Sequence, residues 1–337
     1  MQYQYKPYNA QCPVCTHTAN KLLYTVNARQ SANHFIQTMG AKEISLDTLA
    51  QKIDSLWGKN TASVISCSNC DFVFADPFVA GDAEFYNLLP HSTTANDTNW
   101  KWEFEKSFQC ISQLAASDAN LQLLEIGAST GGFAKRIAKL IKKENIICLE
   151  HSAFGVNAIK QAGITAHSWD VRDLNQKGEY ANKFNMVCLF QVLEHMDDLD
   201  TIFKTFNWVL KPNGRVFIGV PNADKIKFNE LNNALLDMPP NHIGRYSDKT
   251  FKFLAGKWGF NITETAIEPY TPLDVMKTVM YYQSLQRRQL PPVANTLWYR
   301  VNEYIRIKYL RLQAALWHKN WAKRCGCNLQ KQPNETL

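Results

Sequence analysis

The segment LQLLEIGASTGGFA, residues 121–134, decides how this chain folds. Its apolar first half is typical of a buried strand, and residues 135–143 continue with the apolar spacing of a helix. Between the two, Gly127 and Gly131 allow the backbone to turn sharply and to approach a ligand closely. The free amides at the start of the helix can bind a polar ligand. The segment predicts a strand, a ligand-binding turn and a helix, although a glycine turn alone is a weak signal.

The next apolar segments repeat this pattern. Residues 146–150 end in Glu150, nineteen residues after Gly131, where a carboxylate can accept hydrogen bonds from both hydroxyls of a ribose. Further strands are expected at 164–169, 184–190 and 215–220. Strands that alternate with helices require right-handed crossovers and a mainly parallel sheet. We therefore predict an α/β chain with a Rossmann-like, doubly wound, mainly parallel sheet that binds an adenosine-type cofactor.

Three segments resemble the motifs of class I S-adenosylmethionine-dependent methyltransferases and follow the order of that family. They read LLEIGASTG (123–131), FQVLEH (190–195) and LKPNGR (210–215), within a resemblance that covers roughly residues 100–268. The resemblance implies that S-adenosylmethionine binds at the glycine turn and at the neighbouring strand tips. The cofactor-binding residues that it implies are Glu125, Gly127, Ala128, Gly131, Glu150, Asp170, Val171 and Gln191.

Two features depart from the pattern of that family. Ser129 stands where many members have a glycine, so the turn could approach the methionine part of the cofactor less closely. After the strand expected at 262–267, no antiparallel seventh strand is recognisable, and residues 273–289 have the apolar spacing of a helix instead. The usual edge of the sheet is therefore undefined in the sequence.

Two C-x-x-C pairs precede this domain. Residues 12–15 read CPVC and residues 67–70 read CSNC, a spacing that lets two thiolates reach one tetrahedral zinc ion from a tight turn. The 51 residues between the pairs must loop out, and residues 45–57 have the spacing of a helix. Unrelated thiols or a redox pair are the alternatives. We predict a structural zinc site formed by Cys12, Cys15, Cys67 and Cys70.

These patterns divide the chain into five parts. We expect a small N-terminal zinc module at 1–80, a connecting segment at 81–100, a methyltransferase domain at 101–270, a basic helical extension at 271–327 and a tail at 328–337. The family that the chain resembles has a branch of sugar C-methyltransferases with a four-cysteine N-terminal zinc module. NHIGRYS (241–247) resembles the substrate-side segment of that branch, so the resemblance extends over most of the chain.

Three residues are candidates for catalysis. His195 and His242 belong to the residue type that titrates near neutral pH and could remove a proton from a hydroxyl or an acidic carbon. Each has a plainer interpretation, because His195 could be bonded to backbone at a helix start and His242 could lie in a surface loop. Tyr246 and Arg245 could contact an acidic or sugar substrate, although a loop arginine is more often solvated. Glu194 could simply cap the helix that it begins.

The net charge of +7 is concentrated near the C-terminus. Residues 298–324 contain seven basic residues and one acid, a net charge of +6, so the rest of the chain is close to neutral. This distribution does not favour a protein that coats nucleic acid with its whole surface. We expect a helix at 297–321 that packs on the core or a partner, with peripheral contact to an anionic membrane or binding of a phosphate-bearing substrate as the alternatives. Its apolar residues at helical spacing are Val301, Ile305, Leu312 and Leu316.

Composition and motifs together favour an enzyme that acts on a small molecule. No apolar run reaches the length of a membrane span and no secretory signal is recognisable, so we expect a cytoplasmic protein. We expect S-adenosylmethionine-dependent methyl transfer to carbon or oxygen of a small-molecule or glycan-precursor acceptor, such as a nucleotide sugar. RNA methylation is the alternative, but Asn/Asp-Pro-Pro-aromatic and Pro-Cys motifs do not follow the fourth strand. A zinc scaffold with a decayed cofactor fold is a third interpretation, which the intact cofactor residues disfavour.

Overall fold

The structure is a computed structural model that describes residues 2–39, 45–89, 100–234, 237–269, 271–287, 297–317 and 322–332. Its strands are β1 (Lys6–Asn9), β2 (Ala19–Asn27), β3 (Thr61–Ser66), β4 (Val73–Asp76), β5 (Leu123–Ile126), β6 (Ile146–Leu149), β7 (Thr165–His167), β8 (Phe184–Phe190), β9 (Leu210–Pro221), β10 (Gly244–Arg245), β11 (Phe260–Pro269) and β12 (Ala322–Lys331). Its helices are α1 (Ala28–Met39), α2 (Leu46–Trp57), α3 (Ala83–Leu88), α4 (Trp102–Ser117), α5 (Gly132–Ile137), α6 (Ala153–Gln161), α7 (Leu199–Val209), α8 (Ala223–Leu231), α9 (Asp248–Trp258), α10 (Pro272–Arg287) and α11 (Leu297–Trp317).

The strands form two sheets, and the larger one has the predicted α/β architecture. Its order is β11-β12-β9-β8-β5-β6-β7, in which β9, β8, β5, β6 and β7 run parallel. Every residue of β5 and β6 is buried, as strands covered on both faces by helices require. The prediction of a Rossmann-like, mainly parallel sheet is confirmed. The carboxyl ends of β5, β6, β7 and β8 therefore lie at one edge of this sheet.

The described part of the chain also contains the antiparallel strand that the sequence did not reveal. β12 lies between β9 and β11 and pairs antiparallel with both. Its sequence, AKRCGCNLQK, lacks an apolar pattern, and backbone hydrogen bonds to a neighbour on each side hold it in place. The expectation of an undefined sheet edge is therefore wrong. The helices at 272–287 and 297–317 form an insertion between two strands of one sheet, and residues 322–331 belong to the sheet rather than to a helical extension or a tail.

Helices cover both faces of the larger sheet. α4, α5 and α6 pack on one face, and α7 and α9 pack on the other. The core on the second side is continuous with the cysteine-bearing turns, since Cys12, Val14 and Cys70 belong to the same buried cluster as Phe206 and Phe251. The two parts of the chain therefore share one apolar core.

The smaller sheet joins the N-terminal module to the rest of the chain. Its order is β1-β2-β3-β4-β10, and each neighbouring pair is antiparallel. α1 and α2 occupy the long segment between the two cysteine pairs. α2 begins after its N-cap Ser45 and ends at Trp57, before its C-cap Gly58 with a φ of 64°, in agreement with the helix predicted at 45–57. Because β10 comes from residues 244–245, this sheet is completed by the domain that follows it.

A buried ion pair lies where the two parts meet. Arg245 of β10 and Glu230 of α8 are 4% and 1% exposed, and the arginine donates to the two carboxylate oxygens at 2.6 and 2.8 Å. The hydroxyls of Tyr3 and Tyr24 donate to the same carboxylate at 2.5 and 2.7 Å. Arg245 therefore joins α8 to the N-terminal module. The substrate contact predicted for Arg245 does not agree with this buried position.

The helical insertion presents a largely exposed surface. α10 and α11 pack near α8 through Met276, Val279 and Leu310. The apolar residues of α11 that are predicted to pack on the core or on a partner do not pack on the core, since they are 48–70% exposed in this single chain: Val301, Ile305, Leu312 and Leu316. The helix predicted at 297–321 extends to Trp317, and residues 318–321 lie outside the described residues. None of the described helices is both long and apolar enough to cross a membrane.

Replacing Leu329 tests the position of β12. Leu329 is fully buried, and truncating a leucine at such a site removes apolar contacts and leaves a cavity. We expect Leu329→Ala to lower the free energy of unfolding in urea by about 2–5 kcal/mol. The matched control Leu312→Ala truncates a side chain that is 58% exposed and should change it by less than about 0.5 kcal/mol. If both variants were as stable as the wild type, β12 would not lie inside the sheet.

Candidate active site

The turn after β5 has the backbone conformation that its glycines predict. Gly127 and Gly131 have φ angles of 68° and 80°, and Ser129 between them has a φ of 51°. This left-handed region favours glycine over residues that carry a Cβ atom. Ser129 thus adopts a left-handed conformation that favours glycine, and the turn is tight at all three positions. The amides of Gly127 and Ala128 donate to the carbonyl of Leu149 at 2.8 and 3.1 Å, which ties the turn to the tip of β6.

The carboxylate of Glu150 lies beside this turn. One of its oxygens accepts a hydrogen bond from the amide of Ser129 and the other accepts one from the amide of Ser152, each at 2.8 Å. Each carboxylate oxygen has a further lone pair, so the group can still accept the hydroxyls of a ribose. Gly155 of α6 packs so close that a Cβ atom there would lie 2.4 Å from the carbonyl oxygen of Ser129. The predicted acid and the predicted turn are therefore immediate neighbours, and Glu125 lies buried in the strand that leads to them.

Asp170 and Val171 follow β7 at the same edge of the sheet. Val171 is buried, and the carboxylate of Asp170 caps a short 3₁₀ turn by accepting the amide of Arg172 at 2.8 Å. The guanidinium of Arg172 donates to both oxygens of that carboxylate at 2.9 Å and to Asp197 at 2.6 Å. Burial raises the pKa of Asp170, but its bonds to Arg172 outweigh burial and lower that pKa below its ordinary value. Sequence reasoning missed Arg172, because its partner Asp197 comes close only in the folded chain.

Gln191 follows β8 and completes this edge. Its backbone has a φ of 60°, and its amide donates to the carbonyl of Gly219 at 2.7 Å. Its side-chain nitrogen Nε2 is buried and has no hydrogen-bond partner among the described residues. A buried donor without a partner costs free energy that a polar ligand would recover. Gln191 therefore suits a contact with the polar part of a bound molecule.

Three titratable side chains meet just after Gln191. Glu194 and His195 lie on the 3₁₀ turn that follows β8, and His242 approaches them from the segment before β10. The ring centroids of the two histidines are 4.6 Å apart. Nδ1 of His242 donates to the carboxylate of Asp237 at 2.6 Å. The structure therefore brings both histidine candidates together, each half-buried.

The surroundings shift the pKa values of this cluster in different directions. Burial raises the pKa of Glu194 to about 7. Burial, together with the charge of His242, lowers the pKa of His195 to about 3. Burial also opposes protonation of His242, but the hydrogen bond to Asp237 and its charge outweigh burial and raise the pKa of His242. His195 is therefore a neutral imidazole at neutral pH.

Tyr246 is buried among aromatic side chains below the turn that carries Glu194 and His195. Its side chain is 1% exposed and packs against Phe72 and Phe251, and its hydroxyl donates to the carbonyl of Leu193 at 3.1 Å. Burial raises the pKa of this hydroxyl well above its ordinary value. The catalytic role predicted for Tyr246 does not agree with this position. The residue instead supports the backbone of the turn that carries Glu194.

Sequence reasoning missed two neighbours of the histidines. The hydroxyl of Tyr86, in α3 of the predicted connecting segment, lies 3.4 Å from Nδ1 of His195. Asp237 is 3% exposed and bonds His242 five residues further along the chain. The short spacing between Asp237 and His242 was a usable signal, whereas no local pattern links residue 86 to residue 195.

The two cysteine pairs converge beside the smaller sheet. The Sγ–Sγ distances are 3.6 Å between Cys12 and Cys70 and 3.5 Å between Cys15 and Cys67, and all four sulfurs lie within 4.8 Å of one another. Four sulfurs bound to one zinc ion at about 2.3 Å stand about 3.8 Å apart, whereas a disulfide bond measures about 2.05 Å. The residue after each pair has a similar φ, 61° in one turn and 59° in the other. The cluster is compatible with a tetrahedral zinc site.

Comparisons with known proteins give one family match and several similar structures of low identity. Residues 100–265 match the family model described as a methyltransferase domain, and no curated protein matches the chain. A SAM-dependent methyltransferase from Archaeoglobus fulgidus is similar in structure, with 14% identity, a TM-score of 0.45, and 68% of this chain and 94% of that chain covered. Phosphoethanolamine N-methyltransferase 2 from Haemonchus contortus has 16% identity, a TM-score of 0.40, and 72% and 59% covered. The residues matched by the family model include the strand tips described above.

Adding a methyl group at Gly155 tests the packing behind Glu150. We expect Gly155→Ala to lower the free energy of unfolding in urea by about 1–3 kcal/mol, because the new Cβ atom would overlap the backbone of Ser129. The matched control is Gly256→Ala in α9, where a Cβ atom would meet no atom within 4 Å. It should stabilise the helix by about 0.5–1 kcal/mol. A stabilising Gly155→Ala would show that the turn and α6 are not in contact.

Proposed function

We propose that this chain is an S-adenosylmethionine-dependent methyltransferase that acts on a small-molecule or glycan-precursor acceptor. One observation carries the proposal: the carboxylate of Glu150 lies 2.8 Å from the amide of Ser129, inside the glycine turn. An acid at the tip of the second strand beside such a turn is the arrangement that recognises a ribose. The match of residues 100–265 to a methyltransferase domain supports an adenosine-type cofactor that donates a methyl group.

The described residues fit this cofactor along the sheet edge. Glu150 would accept the hydroxyls of the ribose, Asp170 and Val171 would border the adenine, and Nε2 of Gln191 would donate to the methionine part. The buried, unpartnered state of that nitrogen supports its role. When bound, S-adenosylmethionine supplies a methyl group that its sulfonium centre makes electrophilic. The remaining work of the chain is to orient the acceptor and to provide for its proton.

Removal of a proton from the acceptor is the chemical step in which the side chains take part. The acceptor atom forms a bond to the methyl carbon while the carbon–sulfur bond breaks and its electron pair stays on sulfur. An acceptor O–H or C–H must also lose its proton, so a base within hydrogen-bond reach accelerates transfer. His195 and His242 are our candidates, since His195 follows Gln191 by four residues and the ring of His242 lies 4.6 Å from that of His195. The raised pKa of His242 brings that histidine closer to the range of an effective base than His195, whose pKa is lowered to about 3.

The acceptor that we propose is small and polar, with a nucleotide sugar methylated at carbon or oxygen as the leading example. A cluster with carboxylate, imidazole and phenol groups beside the sheet edge suits an acceptor that carries hydroxyl groups. Members of this cluster come from three separate parts of the chain: Tyr86, Glu194, His195, Asp237 and His242.

We further propose that the four cysteines bind one structural zinc ion. Four thiolates fill a tetrahedral shell and leave no position open for catalysis, so the ion would stabilise the N-terminal module. The sulfur separations of 3.5 and 3.6 Å support this arrangement over two disulfides.

Removing the carboxylate of Glu150 tests the cofactor. We expect Glu150→Ala to weaken S-adenosylmethionine binding, measured by isothermal titration calorimetry, by at least about tenfold, because bonds to a charged acceptor contribute about 1.5–3 kcal/mol. Glu144→Ala, which removes an exposed acid just before β6, is the matched control and should bind normally. Glu150 also accepts two backbone amides, so its removal could disturb the local fold. Glu150→Gln keeps an acceptor oxygen for these amides without the charge, and thermal melting shows whether each variant is folded. Unchanged affinity in folded Glu150 variants would overturn the proposed function.

Replacing one cysteine tests the zinc site. Cys67→Ser should lower the zinc content of the purified chain, measured by atomic emission, by about one equivalent relative to the wild type, because a tetrahedral thiolate site needs all four ligands. Cys110→Ser is the control, since Cys110 lies in α4 outside the cluster. A Cys67→Ser variant with full zinc content would contradict the proposed four-cysteine zinc site.

A further inference from the structure

The cluster after β8 has a feature that hydrogen bonding within the protein does not explain. The carboxylate of Glu194 is 1% exposed, and neither of its oxygens has a hydrogen-bond partner among the described residues. Leaving such a group buried and unbonded costs several kcal/mol. One atom each from Glu194, His195 and His242 lies within 4.8 Å of the others. A ligand that bonds to all three side chains would remove this cost.

Each of the two imidazole rings uses its Nδ1 atom in a hydrogen bond to another part of the chain. Nδ1 of His195 donates to the carbonyl of Asn241 at 2.7 Å, and Nδ1 of His242 donates to Asp237 at 2.6 Å. With the proton fixed on Nδ1, the other nitrogen of each ring carries a lone pair. Histidines that bind metals almost always donate their second ring nitrogen to a carboxylate or a backbone carbonyl in this way.

We propose that Glu194, His195 and His242 bind a divalent first-row transition-metal ion. The set of one carboxylate and two imidazoles is one that zinc, iron, manganese and related ions accept, and it leaves coordination positions open. Ligand atoms at about 2.1 Å from one ion stand roughly 3–3.5 Å apart, so movements of about an ångström complete the site. Asp237 acts as a positioning residue that holds the ring of His242.

If the proposed function is correct, the position of this site would allow the ion to bind the methyl acceptor. Glu194 comes three residues after Gln191, on the turn that leaves the active-site edge of the sheet. With an ion bound, the two imidazoles would be its ligands and would no longer serve as the base. An open coordination position there would instead take an oxygen atom of the acceptor and lower the pKa of a hydroxyl bound to it. The acceptor class that follows is a molecule with a hydroxyl or carbonyl oxygen beside the methylated atom. This role of the ion in binding the acceptor rests on the proposed function, whereas metal binding itself does not.

Manganese binding tests the site separately from the cysteine cluster. Mn²⁺ prefers oxygen and nitrogen ligands and competes poorly for thiolates. In the full chain, after chelator treatment, electron paramagnetic resonance therefore measures how many Mn²⁺ ions bind at the site formed by Glu194, His195 and His242. We expect one Mn²⁺ per wild-type chain, at least about tenfold weaker binding in Glu194→Gln and His242→Ala, and about 10–100-fold weaker binding in Asp237→Asn. Glu144→Gln, an exposed glutamate, is the matched control and should bind as the wild type does. Folding of each variant is checked by thermal melting.

Each outcome bears on one claim. If folded Glu194→Gln binds Mn²⁺ as tightly as the wild type, or if the folded wild type binds none, the metal site is wrong. Titration of the same samples with S-adenosylmethionine keeps the two proposals apart. A chain that binds Mn²⁺ through Glu194 but binds no S-adenosylmethionine supports the metal site and contradicts the proposed function. A chain that binds S-adenosylmethionine but no Mn²⁺ supports the proposed function and contradicts the metal site.

Discussion

The structure depends on one carboxylate that joins two strand tips. Glu150 accepts the amides of Ser129 and Ser152, so the turn after β5 and the start of α6 are fixed to the same acid. Left-handed φ angles at Gly127 and Gly131 allow the backbone to make this close turn. Because the central strands run parallel, Asp170 and Gln191 arrive at the same edge from β7 and β8. A ligand bound at this edge would meet backbone amides, a carboxylate and a buried side-chain amide at once.

A short segment links the cysteine module to this edge. Residues 244–245 form β10, which pairs with β4 of the module, and the amide of Ile243 donates to the carbonyl of Glu194 at 2.9 Å. The hydroxyl of Thr250 donates to the carbonyl of Cys70 at 3.0 Å. His242 therefore lies on a segment whose backbone is held on one side by the module and on the other by the turn after β8. A zinc ion in the module would stabilise the position of a residue in the proposed active site.

The sequence predicted what is encoded locally and missed what depends on distant partners. The glycine turn, the acid at Glu150 and the two cysteine pairs each have a short-range signature of spacing and residue type, and the structure brings their members together. β12 was missed because its ten residues carry no apolar period and are held by backbone bonds to strands far along the chain. Arg245 was considered as a substrate contact or a solvated loop residue because a sequence does not show that it pairs with Glu230 in the core. Tyr246 was a catalytic candidate because a sequence likewise does not show that its side chain is buried.

Hydrogen–deuterium exchange with and without S-adenosylhomocysteine tests the cofactor site most directly. Exchange of the amides near the bound molecule should slow in peptides that cover residues 123–134, 149–156 and 190–195, because these segments meet at the sheet edge. Peptides from β2 and β3 of the smaller sheet should exchange at the same rate in both states. Unchanged exchange at saturating ligand, or protection confined to the smaller sheet, would contradict the claim that the carboxyl edge of the larger sheet binds the methyl donor.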